Sequence, residues 1–196
     1  MRISNRIEKH LAVAVTAAAG IAASSNAAIV AWENCNLVIP NTVDGLYINV
    51  ETRATGGSGS AVAGWDINPY GTLSLTWFNA TGTGMMRYPG TTTPGNFADG
   101  TVVGAAGTYG SGAVVVGSAP GNWQLNAINK FGFRFVAADG GTKYGWGTFQ
   151  IGASIFGANR MITNIYYEDS GGSITIPAPG AIALLGLAGL AGRRRR

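Results

Sequence analysis

The sequence predicts an all-β protein, an antiparallel β-sandwich or jelly roll, and three observations support this prediction. Between Ala28 and Ile176, no glycine-free segment long enough for a helix repeats its apolar residues at the helical period of 3.6 residues. Short runs of β-branched and aromatic residues alternate instead with polar residues, as in half-buried strands. Gly, Asn and Asp separate these runs. Eight or nine such strands are typical of a sandwich or jelly roll, and a barrel is the alternative.

The clearest alternation lies in Phe131–Phe135, where three phenylalanines face opposite to Lys130 and Arg134. These phenylalanines and Trp77 are predicted to fill the core between two sheets. Asp139–Gly141 is a turn signal, and Tyr144–Ile151 then returns as the partner strand. Further strands are predicted at Asn36–Pro40, Leu46–Glu51, Ala63–Asn68, Leu73–Trp77, Thr101–Val103, Ala113–Val116 and Met161–Glu168.

The N-terminal segment has the organisation of a secretory signal peptide. Three basic residues in the first nine positions precede the apolar run Leu11–Ala23, whose length suits a signal peptide. Small residues before Ala28 predict a cut between Ala27 and Ala28. The alternative, a transmembrane helix, requires a longer and more apolar run. We therefore expect a signal helix in residues 1–27 and export through the Sec machinery.

The C-terminal segment combines a short apolar run with a basic end. Ala181–Gly192 has twelve residues without a charged or polar side chain, about 18 Å as a helix. A membrane core is about 30 Å thick, and Pro177 and Pro179 prevent the helix from extending backwards. Arg193–Arg196 favours the cytoplasmic side. We therefore expect a short hydrophobic helix that inserts transiently and is processed, with a buried core helix as the alternative.

The order of these parts resembles the sorting tail of the bacterial PEP-CTERM proteins. A proline-containing motif, an apolar run and clustered arginines follow one another, and Ala178 stands where the family has glutamate. The resemblance implies processing by an exosortase-like enzyme and a location at the cell surface or outside the cell, with transient or residual membrane association. The predicted motif comprises Ile176, Pro177, Ala178, Pro179, Gly180, Arg193, Arg194, Arg195 and Arg196.

Two passages of the body resemble exported β-rich bacterial proteins that have the same kind of tail. They are Gly64–Tyr70, and Phe131–Phe135 followed by Tyr144–Gly147. The resemblance implies a β-rich exported domain and transfers no site residues. The chain is accordingly divided into a signal peptide (1–27), a β domain (28–168), a linker (169–175) and a sorting tail (176–196).

Charge and composition exclude several function classes. The whole chain has a formal net charge of +4, but residues outside 1–27 and Arg193–Arg196 include six basic and eight acidic side chains. The body is therefore mildly acidic, and no nucleic-acid partner is predicted. His10 is the only histidine and precedes the predicted cut, and Cys35 is the only cysteine. This composition excludes Ser-His-Asp and Cys-His catalysis and the usual His/Cys zinc sites.

The acidic residues leave calcium binding and glycoside hydrolysis as alternatives. Asp44, Asp99 and Asp139 each precede a glycine, which is more typical of a tight turn than of a calcium loop. No cofactor is therefore predicted, with calcium as the alternative. A glycosidase needs two facing carboxylates, and no spacing selects a pair. The available carboxylates are Glu51, Asp66, Glu168 and Asp169.

Aromatic residues next to polar ones suggest the last candidate site. Trp65, Asp66, Asn68 and Tyr70 combine rings that stack on sugars with groups that bind hydroxyls, and core packing is the alternative. We therefore predict an exported structural or interaction protein of the cell surface or extracellular polysaccharide matrix, without catalytic activity. A carbohydrate-binding module is the alternative, and a glycoside hydrolase the remote one.

Overall fold

The computed structural model describes residues 28–156 and 159–178. In these residues the protein is all-β, with mostly antiparallel sheets and a single 3₁₀ turn at Gly59–Ala61. The predicted all-β class is confirmed, while both predicted terminal helices lie outside the described residues. The strands are β1 (Ile29–Trp32), β2 (Leu37–Val38), β3 (Tyr47–Ile48), β4 (Thr55–Gly56), β5 (Ile67–Tyr70), β6 (Thr76–Asn79), β7 (Gly84–Met86), β8 (Val102–Val103), β9 (Tyr109–Gly110), β10 (Gly112–Ala113), β11 (Ala127–Val136), β12 (Thr142–Ile151), β13 (Arg160–Glu168) and β14 (Ile174–Thr175).

The larger sheet has seven strands in the order β1-β13-β12-β11-β7-β9, with β2 also paired to β13. Strands β11 and β12 form the predicted hairpin around Asp139. Glycines of β12 make room for the phenylalanine rings of β11 on the inner face. A Cβ at Gly145 would lie 2.4 Å from the Phe133 ring, and one at Gly147 would lie 2.5 Å from the Phe131 ring.

The smaller sheet has the order β10-β6-β5-β3-β4, and its inner side chains meet those of the larger sheet. Trp77 of β6 is fully buried, with its ring centroid 5.1 Å from Phe131 of β11. Trp123 and Phe149 complete this aromatic centre. The burial predicted for Trp77 and for Phe131–Phe135 is confirmed.

The opposite face of the larger sheet is also covered. Strands β8 and β14 pair with each other and lie over β12. This second cluster, called the covered cluster below, consists of Phe97, Val103, Tyr144, Trp146, Tyr166, Ile174 and Ile176. Both Ile174 and Ile176 are buried, so the segment predicted as a linker (169–175) belongs to the fold. The division of the chain into domains stays a prediction, but these two isoleucines bury their side chains beyond the predicted boundary after Glu168.

Several predicted strands are shorter than expected, and the strand at Leu73–Trp77 shows a physical reason. The strand at Leu73–Trp77 begins only at Thr76, and Leu73 is 82% exposed. Gly71 has a φ of +116°, and a Cβ there would lie 2.5 Å from the Ser74 carbonyl oxygen. The chain therefore bends before β6, and the apolar alternation that includes Leu73 does not mark a strand.

A buried arginine joins the loops at one end of the sheets. The guanidinium of Arg160 donates from Nη1 to the carbonyl oxygens of Gly71 (2.9 Å), Ser74 (3.1 Å) and Ile155 (3.1 Å). Its Nη2 donates to the carbonyl oxygen of Pro40 at 2.6 Å. Burial lowers the pKa of Arg160. These bonds pair both terminal nitrogens of the buried cation with backbone dipoles, although its Nε has no hydrogen-bond partner, and they fix four loop positions to β13.

Candidate functional site

The four residues predicted to bind carbohydrate lie in and just before β5, but they do not share one surface. Trp65 and Tyr70 are half-buried. Asp66 and Asn68 are only 3% and 2% exposed. The two polar members therefore do not present their side chains to solvent beside the rings.

The carboxylate of Asp66 is engaged by the backbone. Its Oδ2 accepts a hydrogen bond from the amide of Val50 at 2.8 Å. Burial raises the pKa of Asp66 to about 6, the Val50 amide opposes this rise, and the negative charge of Glu51 adds to it. The geometry gives Asp66 a structural role, since this residue directly precedes β5 and binds Val50, two residues after β3.

Asn68 likewise serves the fold. Its Nδ2 donates to the carbonyl oxygen of Asp44 at 2.8 Å, which holds the loop before β3 against β5. Asn49 performs a similar task, because its Nδ2 donates to the carbonyl oxygens of Ala63 (3.1 Å) and Gly64 (2.7 Å). These amides position the loop that carries Trp65.

An aromatic patch lies on the outer face of the smaller sheet, and we define it as Tyr47, Trp65 and Phe78. The ring of Trp65 meets Tyr47 edge-on with centroids 4.9 Å apart, and lies 5.7 Å from Phe78. Phe78 is 49% exposed. Tyr70 and Phe78 lie on the same face of the paired strands β5 and β6.

Sequence reasoning found Trp65 but missed Tyr47 and Phe78. A signal for Phe78 was available in the sequence. Trp77 and Phe78 are consecutive in a strand, so a core position for Trp77 places Phe78 on the outer face. Tyr47 had the same signal, since it alternates with the buried Ile48.

The carboxylates considered for glycoside hydrolysis have backbone or cationic partners. Glu51 Oε2 accepts a hydrogen bond from the amide of Ala138 at 2.8 Å, and its Oε1 lies 3.5 Å from Lys143 Nζ. Asp139 lies 3.6 Å from the same ammonium. Burial opposes the charge of Lys143, but these two carboxylates outweigh it and raise its pKa. The cluster closes one end of the sheets.

Glu168 and Asp169 close the turn after β13. Glu168 accepts hydrogen bonds from the amides of Ser170 and Gly172. Burial opposes the ionisation of Glu168, but these bonds outweigh it and hold its pKa below the usual value. Asp169 Oδ1 accepts a hydrogen bond from the amide of Ala28 at 3.0 Å. Of the two residues at the predicted cut, Ala28 thus has a defined hydrogen-bond partner, whereas Ala27 lies outside the described residues.

The beginning of the predicted sorting motif is part of the fold. The amide of Ile176 donates to Thr101 at 2.9 Å, and its carbonyl oxygen accepts from Gly100 at 2.8 Å. Pro177 is half-buried and Ala178 is exposed. Pro179, Gly180 and Arg193 to Arg196 lie outside the described residues.

Cys35 is half-buried, and its Sγ donates to the carbonyl oxygen of Ile162 at 3.4 Å. Burial raises the pKa of this thiol. Over residues 28–156 and 159–178, no cluster of three or more His, Cys, Asp or Glu side chains suits a metal ion. The same residues contain no helix of sufficient length and apolarity to cross a membrane.

Comparison of the whole chain with protein-family models, with curated proteins and with solved structures finds no match.

Proposed function

We propose that the chain is an exported structural or interaction protein of the cell surface or extracellular matrix, delivered by a C-terminal sorting signal. We also propose that the seven-stranded and five-stranded sheets pack face to face as a β-sandwich, with a jelly-roll or related topology. The shared core of Trp77 and Phe131, with contributions from both sheets, supports this arrangement.

The observation that carries the proposal is the order of the tail, in which a proline-containing motif, an apolar run and Arg193–Arg196 follow one another. The geometry at the end of the fold supports it. Ile176 is buried and Ala178 is exposed, so the chain reaches the surface of the domain within the motif. An enzyme that acts on Pro179 and Gly180 therefore works next to the domain surface.

The test is to delete Ala181–Arg196 and follow the protein in a bacterium that produces it. We expect the deleted form to fold normally and to accumulate in a different fraction, measured by cell fractionation. Replacement of Arg193–Arg196 by four lysines is the matched control, since it retains the positive charge that orients the tail. Replacement by four glutamines should behave like the deletion. An unchanged distribution of the deleted protein, or loss of its fold, contradicts the proposal.

A second candidate function, carbohydrate binding, is favoured by the aromatic patch. Exposed rings bind the apolar faces of sugars, and Phe78 is half-exposed beside Trp65. The patch differs from the set predicted from the sequence, because Asp66 and Asn68 bond to the backbone. Tyr70 remains available on the same face.

Retardation in gels containing soluble polysaccharides tests this candidate. We expect Trp65→Ala and Phe78→Ala each to raise the dissociation constant obtained from the retardation about tenfold, which corresponds to about 1.4 kcal/mol. Phe156→Ala is the matched control, because Phe156 is also 50% exposed and lies outside the patch. Retardation that is equal in all three variants would show that the patch is not the binding site.

A further inference from the structure

Ala28 is held at a defined place by Asp169, a residue near the other end of the fold. The backbone nitrogen of Ala28 lies 3.0 Å from Asp169 Oδ1. The amide of Asp169 returns a hydrogen bond to the carbonyl oxygen of Ala28 at 3.1 Å. Two bonds therefore fix both the nitrogen and the carbonyl group of Ala28 against Asp169.

Strand β1 makes this position rigid while leaving it accessible. β1 lies at an edge of the larger sheet and pairs with β13, with Ile29 opposite Glu168. Arg53 Nη2 donates to the carbonyl oxygen of Ala31 at 2.8 Å, on the same strand. Ala28 itself is exposed. Its nitrogen is thus close to solvent and at a fixed distance from one carboxylate.

We propose that Asp169 is the binding site for the α-ammonium group of Ala28 that signal-peptide cleavage creates. The inference rests on the cut between Ala27 and Ala28, which belongs to the proposed function. The ion pair between Ala28 and Asp169 then forms only if the chain is cut directly before Ala28.

Cleavage changes the chemistry of the nitrogen. Hydrolysis breaks the bond between the Ala27 carbonyl carbon and the Ala28 nitrogen, and water supplies a hydroxyl group to the carbon and a hydrogen to the nitrogen. At neutral pH the new carboxyl group loses its proton and the new amine takes one up, giving an ammonium with three N–H donors. The hydrogen bond from a neutral amide to the Asp169 carboxylate thereby becomes an ion pair, in which donor and acceptor are both charged.

The neighbouring charged groups have other partners. Glu168, on the strand beside β1, accepts hydrogen bonds from the amides of Ser170 and Gly172. Arg53 donates to Ala31, and its guanidinium lies over the ring of Trp32. Asp169 is therefore the carboxylate that the Ala28 nitrogen meets directly.

The position of the cut decides whether the pair forms. One additional residue before Ala28 would restore a neutral amide at Asp169 and carry the ammonium one Cα–Cα step away, about 3.8 Å. One residue fewer would remove the nitrogen that Asp169 contacts. The fold therefore favours the product that begins with Ala28.

The test measures how fast the terminal amine is acylated. The full-length gene is expressed in an exporting host, and the secreted protein is treated at pH 7 with a limiting amount of an acylating reagent. Mass spectrometry identifies the N-terminal residue and quantifies its acylation. Only the deprotonated amine reacts, so we expect labelling of Ala28 to be about two- to fivefold slower in the wild type than in Asp169→Asn, the range of an exposed ion pair.

Lys130 provides an internal control, because its ammonium pairs with Asp99 and should be labelled equally in both proteins. Asp169→Glu retains the charge and should keep labelling slow. If Asp169→Asn does not fold, the wild type in 1 M salt replaces it, since screening of the pair should speed the labelling of Ala28.

The outcomes separate the two proposals. An N-terminus at Ala28 with equal labelling in both proteins and no salt effect overturns the role of Asp169 and leaves export intact. An N-terminus at another residue overturns the cleavage position and this proposal together. Slow labelling of Ala28 that depends on Asp169 supports both.

Discussion

The outer faces of the two sheets both carry clustered aromatic rings, but only one face is covered. On the larger sheet, Trp146 stacks on Tyr166 at 4.5 Å and is 3% exposed, because Val103 and Ile174 lie above it. On the smaller sheet, Phe78 contacts Trp65 and remains 49% exposed. The contrast shows that the role of an outward aromatic residue depends on whether another segment covers it.

This difference arises from segments far apart in the sequence. Strands β8 and β14 pair with each other to form the cover, and each contains only two residues. Two short strands stabilise each other here because they also bury Val103 and Ile174 against the rings of β12 and β13. No such pair of strands covers Phe78 in the described residues, and its side chain stays half exposed.

The largest effect that we expect comes from removing a ring of the covered cluster. Trp146→Ala should lower the free energy of unfolding by about 4 kcal/mol, since it leaves a cavity beneath the cover. Urea denaturation measures this change. Trp146→Phe, which retains an aromatic ring beside Tyr166, should cost less. A loss below about 1 kcal/mol for the alanine variant would mean that the cover does not enclose Trp146.

The next largest effect concerns the cover itself. Ile176→Ala should lower the free energy of unfolding by about 3 kcal/mol, because Ile176 is fully buried. Ala178→Ser is the matched control, since Ala178 is exposed and two residues further along the chain. Equal stabilities of the two variants, measured by thermal and urea denaturation, would place the end of the fold before Ile176.

A pH-dependent effect is expected beneath the uncovered face. Burial raises the pKa of Asp66 to about 6, so the folded protein favours the protonated carboxyl group. The stability that this group contributes is therefore fully present below about pH 4 and is lost as the pH rises through 6. Relative to Asp66→Asn, the free energy of unfolding of the wild type should fall by about 2 kcal/mol between pH 4 and pH 7. Urea denaturation across this range measures the difference.

Asp139→Asn is the control for this measurement, because Asp139 lies in an exposed turn and its pKa is lowered by the Gly141 amide. That variant should retain the loss of stability between pH 4 and pH 7. Parallel pH profiles for the wild type and Asp66→Asn would show that the carboxylate of Asp66 is solvated.

The smallest effect is expected at the uncovered patch. Phe78→Ala should lower the free energy of unfolding by less than about 1 kcal/mol, since half of its side chain is already in water. Differential scanning calorimetry beside Trp146→Ala makes the comparison direct. A cost that approaches that of Trp146→Ala would mean that Phe78 packs as a core residue and is not available to a ligand.

Local patterns were sufficient to predict the hairpin and the core between the sheets. Alternation in Phe131–Phe135 and the turn at Asp139 depend on neighbours in the sequence, so the pattern alone located them. The cover was predicted only in part, because the strand at Thr101–Val103 was predicted but its partner β14 was not. Ile174 follows a polar, glycine-containing turn that resembles a linker, and its burial depends on pairing with Val103. The predicted strand at Leu73 failed because the bend at Gly71 interrupts it.

The candidate site was predicted only in part for the same reason. Trp65 was identified because polar residues surround it in the sequence, but Asp66 and Asn68 bond to Val50 and Asp44. Hydrogen bonds between distant backbone segments leave no local pattern. Phe78 was missed although its neighbour in the strand, Trp77, was correctly assigned to the core.

The arginine that joins the loops also has a consequence for the order of folding. Arg160 bonds to carbonyl groups of Pro40 and Gly71, which lie 120 and 89 residues earlier in the chain. Edge strand β1 likewise pairs with β13. Such non-local contacts slow folding because long loops must close before the bonds form. Strands β1 and β2 therefore lack their partner strand until β13 has been synthesised, whereas β3, β4, β5 and β6 can pair with one another before that point.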